Sequence, residues 1–211
     1  MTIGDNGSKA GECRPGKTVL LTSVCRPLGE KYGDGPSVGY ELLFGQVTRA
    51  QGAFSPRNPR NNCIQFSLAY IAENLDAPTT VLHYPTRREL IRELREVYDY
   101  VGVSFLLATY RHMKDLVALV RKHSPNSRVV LGGYGTVLAD DVLRPHADYI
   151  CREEGVGFMR RLLGEPEARL PHRHPLVVTR LEVFGREVSQ TGVIFAGLGC
   201  PNGCDFCCTS H

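Results

Sequence analysis

From about residue 17 to residue 165, segments with the hydrophobic pattern of strands alternate with segments that have the hydrophobic pattern of helices. Short apolar runs flanked by polar residues, Gly or Pro are typical of buried strands. The segments between them repeat apolar side chains every three or four residues, which is typical of amphipathic helices. The predicted strands lie at 17–24, 81–84, 100–107, 128–133 and 147–152. The predicted helices lie at 63–75, 86–97, 113–120, 137–143 and 156–163.

Three of these helices carry a well-defined apolar face. The helix at 86–97 opens with a capping box, Thr86 with Glu89, in which each residue satisfies a backbone N–H of the first turn. The apolar positions of the three faces are Leu90, Ile91, Leu94 and Val97; Met113, Leu116, Val117 and Val120; and Val156, Met159 and Leu163.

Strands that are apolar along nearly their whole length, each followed by a helix, predict a parallel sheet covered on both faces. The fold class is therefore α/β, and the unit at 17–165 suits a flavodoxin-like, doubly wound sheet of five strands. In such sheets the ligand binds at the carboxyl ends of the strands.

Segments outside this unit have a different character. Residues 1–16 form a polar tail, and residues 26–61 are rich in Gly, Pro, Arg and Asn. The latter is too long for an ordinary connection, so it is a functional loop or contains further elements. Residues 166–191 are a linker with accessory strands, and 192–211 carry a last apolar strand, Val193 to Leu198, into a cysteine-rich end.

Composition narrows the function classes. The net charge of +3, without a basic stripe, gives no argument for nucleic acid. No apolar run approaches the roughly 20 residues that span a bilayer. The N-terminus lacks the apolar core of a secretory signal, so a cytoplasmic location is expected. In such a chain, clustered cysteines indicate a metal site rather than disulfides.

Half of the eight cysteines cluster near the C-terminus: Cys200, Cys204, Cys207 and Cys208. The first three form C-x3-C-x2-C. Three thiolates on one loop can hold three irons of a [4Fe–4S] cluster and leave the fourth iron open. Zinc is the alternative, because Cys200, Cys204, Cys207 and His211 could form a tetrahedral Cys3His site. The spacing favours iron–sulfur, with Cys208 as a spare thiol.

This motif, with Phe206 before the third cysteine and an apolar strand in front, resembles the signature of the radical S-adenosylmethionine (SAM) superfamily. The resemblance implies that Cys200, Cys204 and Cys207 hold the cluster. It also implies that SAM chelates the open iron and is cleaved there to a 5′-deoxyadenosyl radical.

The α/β unit in front resembles the cobalamin-binding domain that precedes many radical SAM barrels. The likeness rests on an S-x-L sequence at the third strand, on paired glycines after the fourth, and on Arg152 to Gly155 after the fifth. It implies a slot for the nucleotide tail of cobalamin. The residues implied to contact the cofactor are Ser104, Leu106, Gly132, Gly133, Tyr134, Gly135, Glu154 and Gly155.

One departure from this resemblance concerns the lower ligand of cobalt. Classical cobalamin domains carry D-x-H-x-x-G after the first strand, whereas this chain reads CRPLGEKYGDGP there, without a histidine. His83 and His112 are candidates by position, but a surface or hydrogen-bonded role is favoured for both.

These features together predict the N-terminal part of a cobalamin-dependent radical SAM enzyme. It would carry out methyl transfer or related radical chemistry on an unidentified substrate, with no catalytic residue assigned. A barrel needs about 200 further residues, so the chain is expected to be a fragment that is inactive alone, its barrel on the same or another chain. The alternative is a non-catalytic cobalamin- or ligand-binding module with a zinc-binding tail. A phosphoacceptor signalling domain is disfavoured, because Ser23, Val24 and Cys25 end the first strand where acidic residues would be needed.

Overall fold

The computed structural model describes residues 17–25, 65–167, 170–175, 177–183, 186–194 and 202. Five of its strands form one parallel sheet in the order β2-β1-β3-β4-β5. This is the predicted doubly wound α/β sheet, and β1 lies between β2 and β3. The strands are β1 (Val19–Ser23), β2 (Thr79–Leu82), β3 (Tyr100–Ser104), β4 (Arg128–Gly132) and β5 (Tyr149–Ile150).

Helices cover both faces of this sheet. They are α1 (Phe66–Glu73), α2 (Arg87–Glu93), α3 (Tyr110–His123), α4 (Asp140–Leu143) and α5 (Gly155–Leu163). One core joins α2, α3 and α4 to the sheet, and the other joins α1 and α5 to its opposite face. Successive strand residues alternate between the two cores: Leu20 belongs to the first, whereas Val19 and Leu21 belong to the second. Because strand side chains have a period of two, an apolar strand can supply both cores.

Local sequence explains how three of these helices form. At α2, the hydroxyl of Thr86 accepts from the N–H of Glu89, and the Glu89 carboxylate accepts from the N–H of Thr86. The predicted capping box is thus confirmed. In α3 the four predicted apolar positions are all buried, and so are the three predicted in α5: Met113, Leu116, Val117 and Val120, then Val156, Met159 and Leu163.

Other predicted boundaries were wrong. Val97 was assigned to the buried face of its helix but is 85% exposed, because α2 stops at Glu93 with Leu94 as its C-cap. The strand predicted at 81–84 is Thr79–Leu82, and that at 100–107 ends at Ser104. The helix predicted at 137–143 is only Asp140–Leu143, after a 3-10 turn at Tyr134–Val137.

After α5 the chain crosses α1 and then forms a hairpin. Residues 170–175, which we call the strap, lie on α1: the Asn74 side chain accepts from the N–H of Arg173 at 2.7 Å and donates to its carbonyl at 2.8 Å. The accessory strands predicted beyond the linker are β6 (Val177–Val183) and β7 (Arg186–Val193), an antiparallel pair. The polar tail, the loop at 26–61 and most of the strand predicted at Val193–Leu198 lie outside the described residues.

A buried arginine closes the amino edge of the sheet. Arg160 in α5 is 7% exposed and donates to the carbonyl of Asn74 at 2.8 Å. Its guanidinium also pairs with Glu165 at 3.2 Å and Asp76 at 2.7 Å. The Glu165 carboxylate accepts in turn from the N–H groups of Asp76 and Ala77, which lead into β2. Helices from one face are thereby fastened to the start of an edge strand.

Candidate functional site

The carboxyl edge of the sheet changes direction between β1 and β3. The chain passes from β1 to β2 on one side and later returns to β3 on the other. Ligands of doubly wound sheets bind at such a switch point. Ser23, the last residue of β1, is in register with Ser104, the last residue of β3. Two hydroxyls therefore flank the expected binding position.

The two serines differ in their surroundings. Ser23 is 1% exposed, and its oxygen accepts from the N–H of Tyr84 at 2.6 Å. This contact supports the turn after β2, where Tyr84 has a φ of 43°. Ser104 is 8% exposed, and its oxygen accepts from the side-chain amide of Gln65 at 2.5 Å. Ser23 thus stabilises the scaffold, whereas Ser104 is joined to a side chain at the start of α1.

Gln65 connects two strand ends. Its backbone N–H donates to Nδ1 of His83 at 3.2 Å, just after β2, while its side chain reaches Ser104 at the end of β3. Sequence analysis missed this residue. The only signal was its place immediately before an apolar helical run, where a polar residue ordinarily serves as a cap. Its side chain makes no cap hydrogen bond to α1.

The paired glycines at the end of β4 have two different functions. Gly133 has a φ of 84°, and a Cβ there would lie 2.7 Å from Ser104 Oγ and 2.8 Å from the carbonyl oxygen of Phe105. Only glycine allows this close approach. A Cβ on Gly132 would have its nearest neighbour, the Cβ of Cys151, at 4.0 Å. Among the described residues, none therefore fills the space beside Gly132.

The next residues pack the loop that follows β4. A Cβ on Gly135 would lie 2.2 Å from the ring of Phe105, which is 2% exposed, so this glycine is required by packing. Tyr134 is 48% exposed. Together with Leu107 and Val137, which are also exposed, it forms what we call the apolar rim. Single exposed apolar side chains are common on protein surfaces, so the rim draws its interest from its place beside the switch point.

Arg152 holds this loop in position. Its guanidinium donates to the carbonyls of Thr136 at 2.8 Å and Leu138 at 2.9 Å. It also pairs with Asp140 at 2.6 Å. Hydrogen bonds from Arg152 and from Arg144 lower the pKa of Asp140, so this carboxylate stays ionised. The rim residues are thereby attached to the end of β5.

The remaining predicted site residues, Leu106, Glu154 and Gly155, make contacts within the fold. The N–H of Leu106 donates to the Thr109 hydroxyl at 3.0 Å, which starts a 3-10 turn at Leu107–Thr109. Glu154 is the N-cap of α5, and its carboxylate accepts from the N–H groups of Val156 and Gly157, each at 2.7 Å. A Cβ on Gly155 would lie 2.6 Å from Ile71 of α1. This glycine allows α5 to approach α1 closely.

The two histidines considered as cobalt ligands are both held within the fold. Burial lowers the pKa of His83, so its ring is neutral near pH 7. Because Nδ1 accepts from Gln65, the ring proton is on Nε2. Nε2 cannot bind a metal in that tautomer. His112 lies in α3 and is 9% exposed. The hydrogen-bonded role predicted for His83 is confirmed.

The cysteines predicted to hold a cluster, Cys200, Cys204 and Cys207, lie outside the described residues. Within the described part, no three His, Cys, Asp or Glu side chains are grouped to hold a metal ion. Cys151 is half-buried against the core of α1 and α5. Burial raises the pKa of its thiol to about 11. That thiol is accordingly neutral and unreactive.

Comparison with known families agrees with this geometry. No curated protein matches the chain. Among the helices the structure describes, none has the length and apolar character to cross a membrane. Residues 60–163 match the family model of the B12 binding domain. The match spans Gln65, Ser104, the glycines after β4 and the end of β5. The chain therefore contains a B12 binding domain at residues 60–163.

Proposed function

We propose that this chain binds cobalamin at the carboxyl edge of its sheet and is the N-terminal part of a cobalamin-dependent radical SAM enzyme. One observation carries the cobalamin site. Within the matched domain, Gly132 leaves open space beside Ser104, at the point where the order of the strands reverses. A loop of glycine backbone and one hydroxyl can receive a bulky group that carries a single buried acceptor.

The residues present fit the nucleotide tail of cobalamin. Gly132 and Gly133 let the backbone lie against a flat ring, and the Ser104 hydroxyl can hydrogen-bond one ring nitrogen. The apolar rim would cover the outer face of that ring and exclude water. When bound, cobalamin supplies a cobalt centre that can carry a methyl group, while the protein orients it.

The hydrogen bond of His83 argues against this residue as a ligand of cobalt. The segment CRPLGEKYGDGP after β1 contains no histidine. His83 keeps its proton on Nε2 as long as Gln65 donates to Nδ1. The tail is therefore held at the switch point in this proposal, and His83 does not bind the metal.

The cluster part of the proposal rests on the C-x3-C-x2-C sequence. Cys200, Cys204 and Cys207 would hold a [4Fe–4S] cluster whose open iron binds SAM. Methyl transfer or a related radical reaction is the expected chemistry. Glu154 and Gly155 are not proposed as direct contacts, since the first caps α5 and the second packs on α1.

The strap returns the chain towards the carboxyl edge. Helix α5 brings the chain to the amino edge, at Glu165. The strap then runs back along α1, with His172 bonded to the Tyr70 hydroxyl at 2.8 Å and the ring of His174 5.1 Å from that of Phe66. Phe66 follows Gln65 directly. The chain thus leaves the strap near the carboxyl edge.

Elemental analysis tests both halves of the proposal. The chain would be reconstituted anaerobically with iron, sulfide and hydroxocobalamin and then desalted. We expect about one cobalt and up to four iron per chain, the content of a four-iron cluster. Zinc without iron would replace the radical-enzyme proposal with a cobalamin module that has a zinc tail. Absence of retained cobalt would contradict the cobalamin site.

Matched variants assign each metal to its residues. Cys200→Ala should lose iron and keep cobalt, whereas Cys208→Ala should keep both. Gly132→Val should lose cobalt and keep iron, because its side chain fills the open space beside Ser104. Gly192→Val is the control, since a Cβ at Gly192 in β7 also meets nothing within 4 Å. If Gly132→Val and Gly192→Val retain equal amounts of cobalt, the cobalamin site does not lie at the carboxyl edge of the sheet.

A further inference from the structure

The hydrogen bonds of Gln65 assign it a function that neither its family nor its sequence position indicates. We infer that Gln65 is a positioning residue for cobalamin: it directs the Ser104 hydroxyl so that its proton is donated to the nucleotide tail. The inference rests on the proposed cobalamin site and deepens it.

The direction of one hydrogen bond carries this inference. A serine hydroxyl has one proton and two lone pairs. Because the Gln65 amide donates to Ser104 Oγ, one lone pair is occupied and the hydroxyl retains its proton. The ring nitrogen of the cobalamin tail would be an acceptor when it is not bound to cobalt, and it would then require a donor. Gln65 thus selects the orientation of Ser104 that suits the ligand.

Gln65 is itself held from two sides. Its N–H donates to His83 Nδ1, and burial keeps that imidazole neutral and able to accept. Its side chain is half-buried and spans to β3. Gly133 lies close to the hydroxyl, since a Cβ there would lie only 2.7 Å from Ser104 Oγ. The backbone of Gly133 and the side chain of Gln65 thus both adjoin Ser104.

The experiment compares two ligands that differ only by the tail. Hydroxocobalamin and aquacobinamide, which lacks the nucleotide, are titrated by absorbance against the wild type, Gln65→Ala, Gln65→Glu and Ser104→Ala. We expect Gln65→Ala to weaken hydroxocobalamin binding about tenfold, the scale of one buried hydrogen bond. Aquacobinamide binding should change less than about twofold, because it does not use the hydroxyl.

Gln65→Glu separates orientation from packing. Glutamate has nearly the shape of glutamine, but its carboxylate accepts the Ser104 proton instead of donating to the oxygen. We expect it to weaken hydroxocobalamin binding at least as much as Gln65→Ala does. The double variant that combines Gln65→Glu with Ser104→Ala should bind hydroxocobalamin no more weakly than Ser104→Ala alone.

Three outcomes would overturn the inference. Tighter binding by Gln65→Ala would show that Gln65 blocks the slot. If Gln65→Glu binds hydroxocobalamin as tightly as the wild type does, Gln65 contributes only packing. If the Gln65 variants lose affinity for hydroxocobalamin and aquacobinamide equally, the substitutions act through the fold. If the wild type binds neither ligand, the proposed cobalamin site itself fails. That result differs from all three, which require a functional wild type.

Discussion

The two edges of the parallel sheet differ in how closely the described residues fill them. At the amino edge, Arg160, Glu165 and the backbone around Asp76 bond to one another, and the side chains of Arg160 and Glu165 are only 9% and 11% exposed. At the carboxyl edge, Gly132 borders open space, and Tyr134 in the rim is half exposed. Among the described residues, the amino edge is closely packed, whereas the carboxyl edge leaves space beside Gly132.

This difference separates stability from binding within a small domain. Buried ion pairs resist rearrangement because removal of one partner leaves the other charge unpaired. An edge of glycines and exposed apolar side chains contributes little to stability but permits a large ligand to approach. Substitutions at the two edges should therefore affect different measurements.

The largest effect is expected from Arg160→Met. The change leaves Glu165 buried without its cation, which should cost about 3 kcal/mol of unfolding free energy. Urea denaturation measures the loss, and hydroxocobalamin affinity of the folded protein should stay within about twofold. Arg161→Met is the control, because Arg161 is 60% exposed and pairs with an exposed Glu153. Equal destabilisation by both variants would contradict a special role for the buried network.

Substitutions of the two glycines at the end of β4 should separate effects on stability from effects on cobalamin binding. Gly133→Ala places a Cβ against Ser104 Oγ at a φ of 84° and should cost about 2 kcal/mol of stability. Gly132→Val should change stability by less than about 1 kcal/mol but abolish cobalamin binding. Thermal denaturation and ligand titration of both variants measure the difference. Tight binding by Gly132→Val would eliminate the proposed slot.

Glu154→Ala tests a predicted contact that the structure explains otherwise. Loss of the cap on α5 should cost about 1 kcal/mol. Affinity for hydroxocobalamin should be unchanged, since the carboxylate is bonded to Val156 and Gly157. Glu154→Asp, which retains an acceptor at the cap, should recover part of the stability. A large loss of affinity in either variant would restore Glu154 to the binding site.

The smallest effect concerns pH. The folded protein opposes protonation of His83, whose pKa is lowered by burial, while the unfolded chain takes up that proton near its ordinary value of about 6.5. Stability should therefore fall as the pH drops below about 6.5. His83→Gln should reduce the difference between urea midpoints at pH 7.5 and 5.5. The same pH dependence in both proteins would mean that His83 does not contribute.

Local patterns allowed much of the fold to be predicted. The capping box at Thr86 and Glu89 and the apolar face of α3 depend on residues a few positions apart, so the sequence reveals them directly. Val97 was assigned wrongly because periodicity continues past the residue at which tertiary packing ends the helix. A pattern gives the type of an element better than its end.

The site was less accessible to sequence reasoning. The contact of Gln65 with Ser104 joins residues 39 positions apart, and that of Asn74 with Arg173 joins residues 99 apart. Neither follows from a local motif. Glu154 and Gly155 lie in the expected segment, yet the carboxylate of the first caps α5 and the lack of a side chain at the second lets α5 pack on α1. A resemblance identifies the segment of a site, whereas contacts identify what each residue does.

The position of β1 between β2 and β3 determines which segment of this protein can be produced as a separate domain. The matched region begins at residue 60, but Val19–Ser23 pairs with both β2 and β3. A recombinant piece cut at 60–163 would leave β2 without a neighbour in the sheet and would also remove Glu165 from Arg160. A transplantable unit must therefore include both flanks, from Lys17 to Pro175, even though they lie outside the family match.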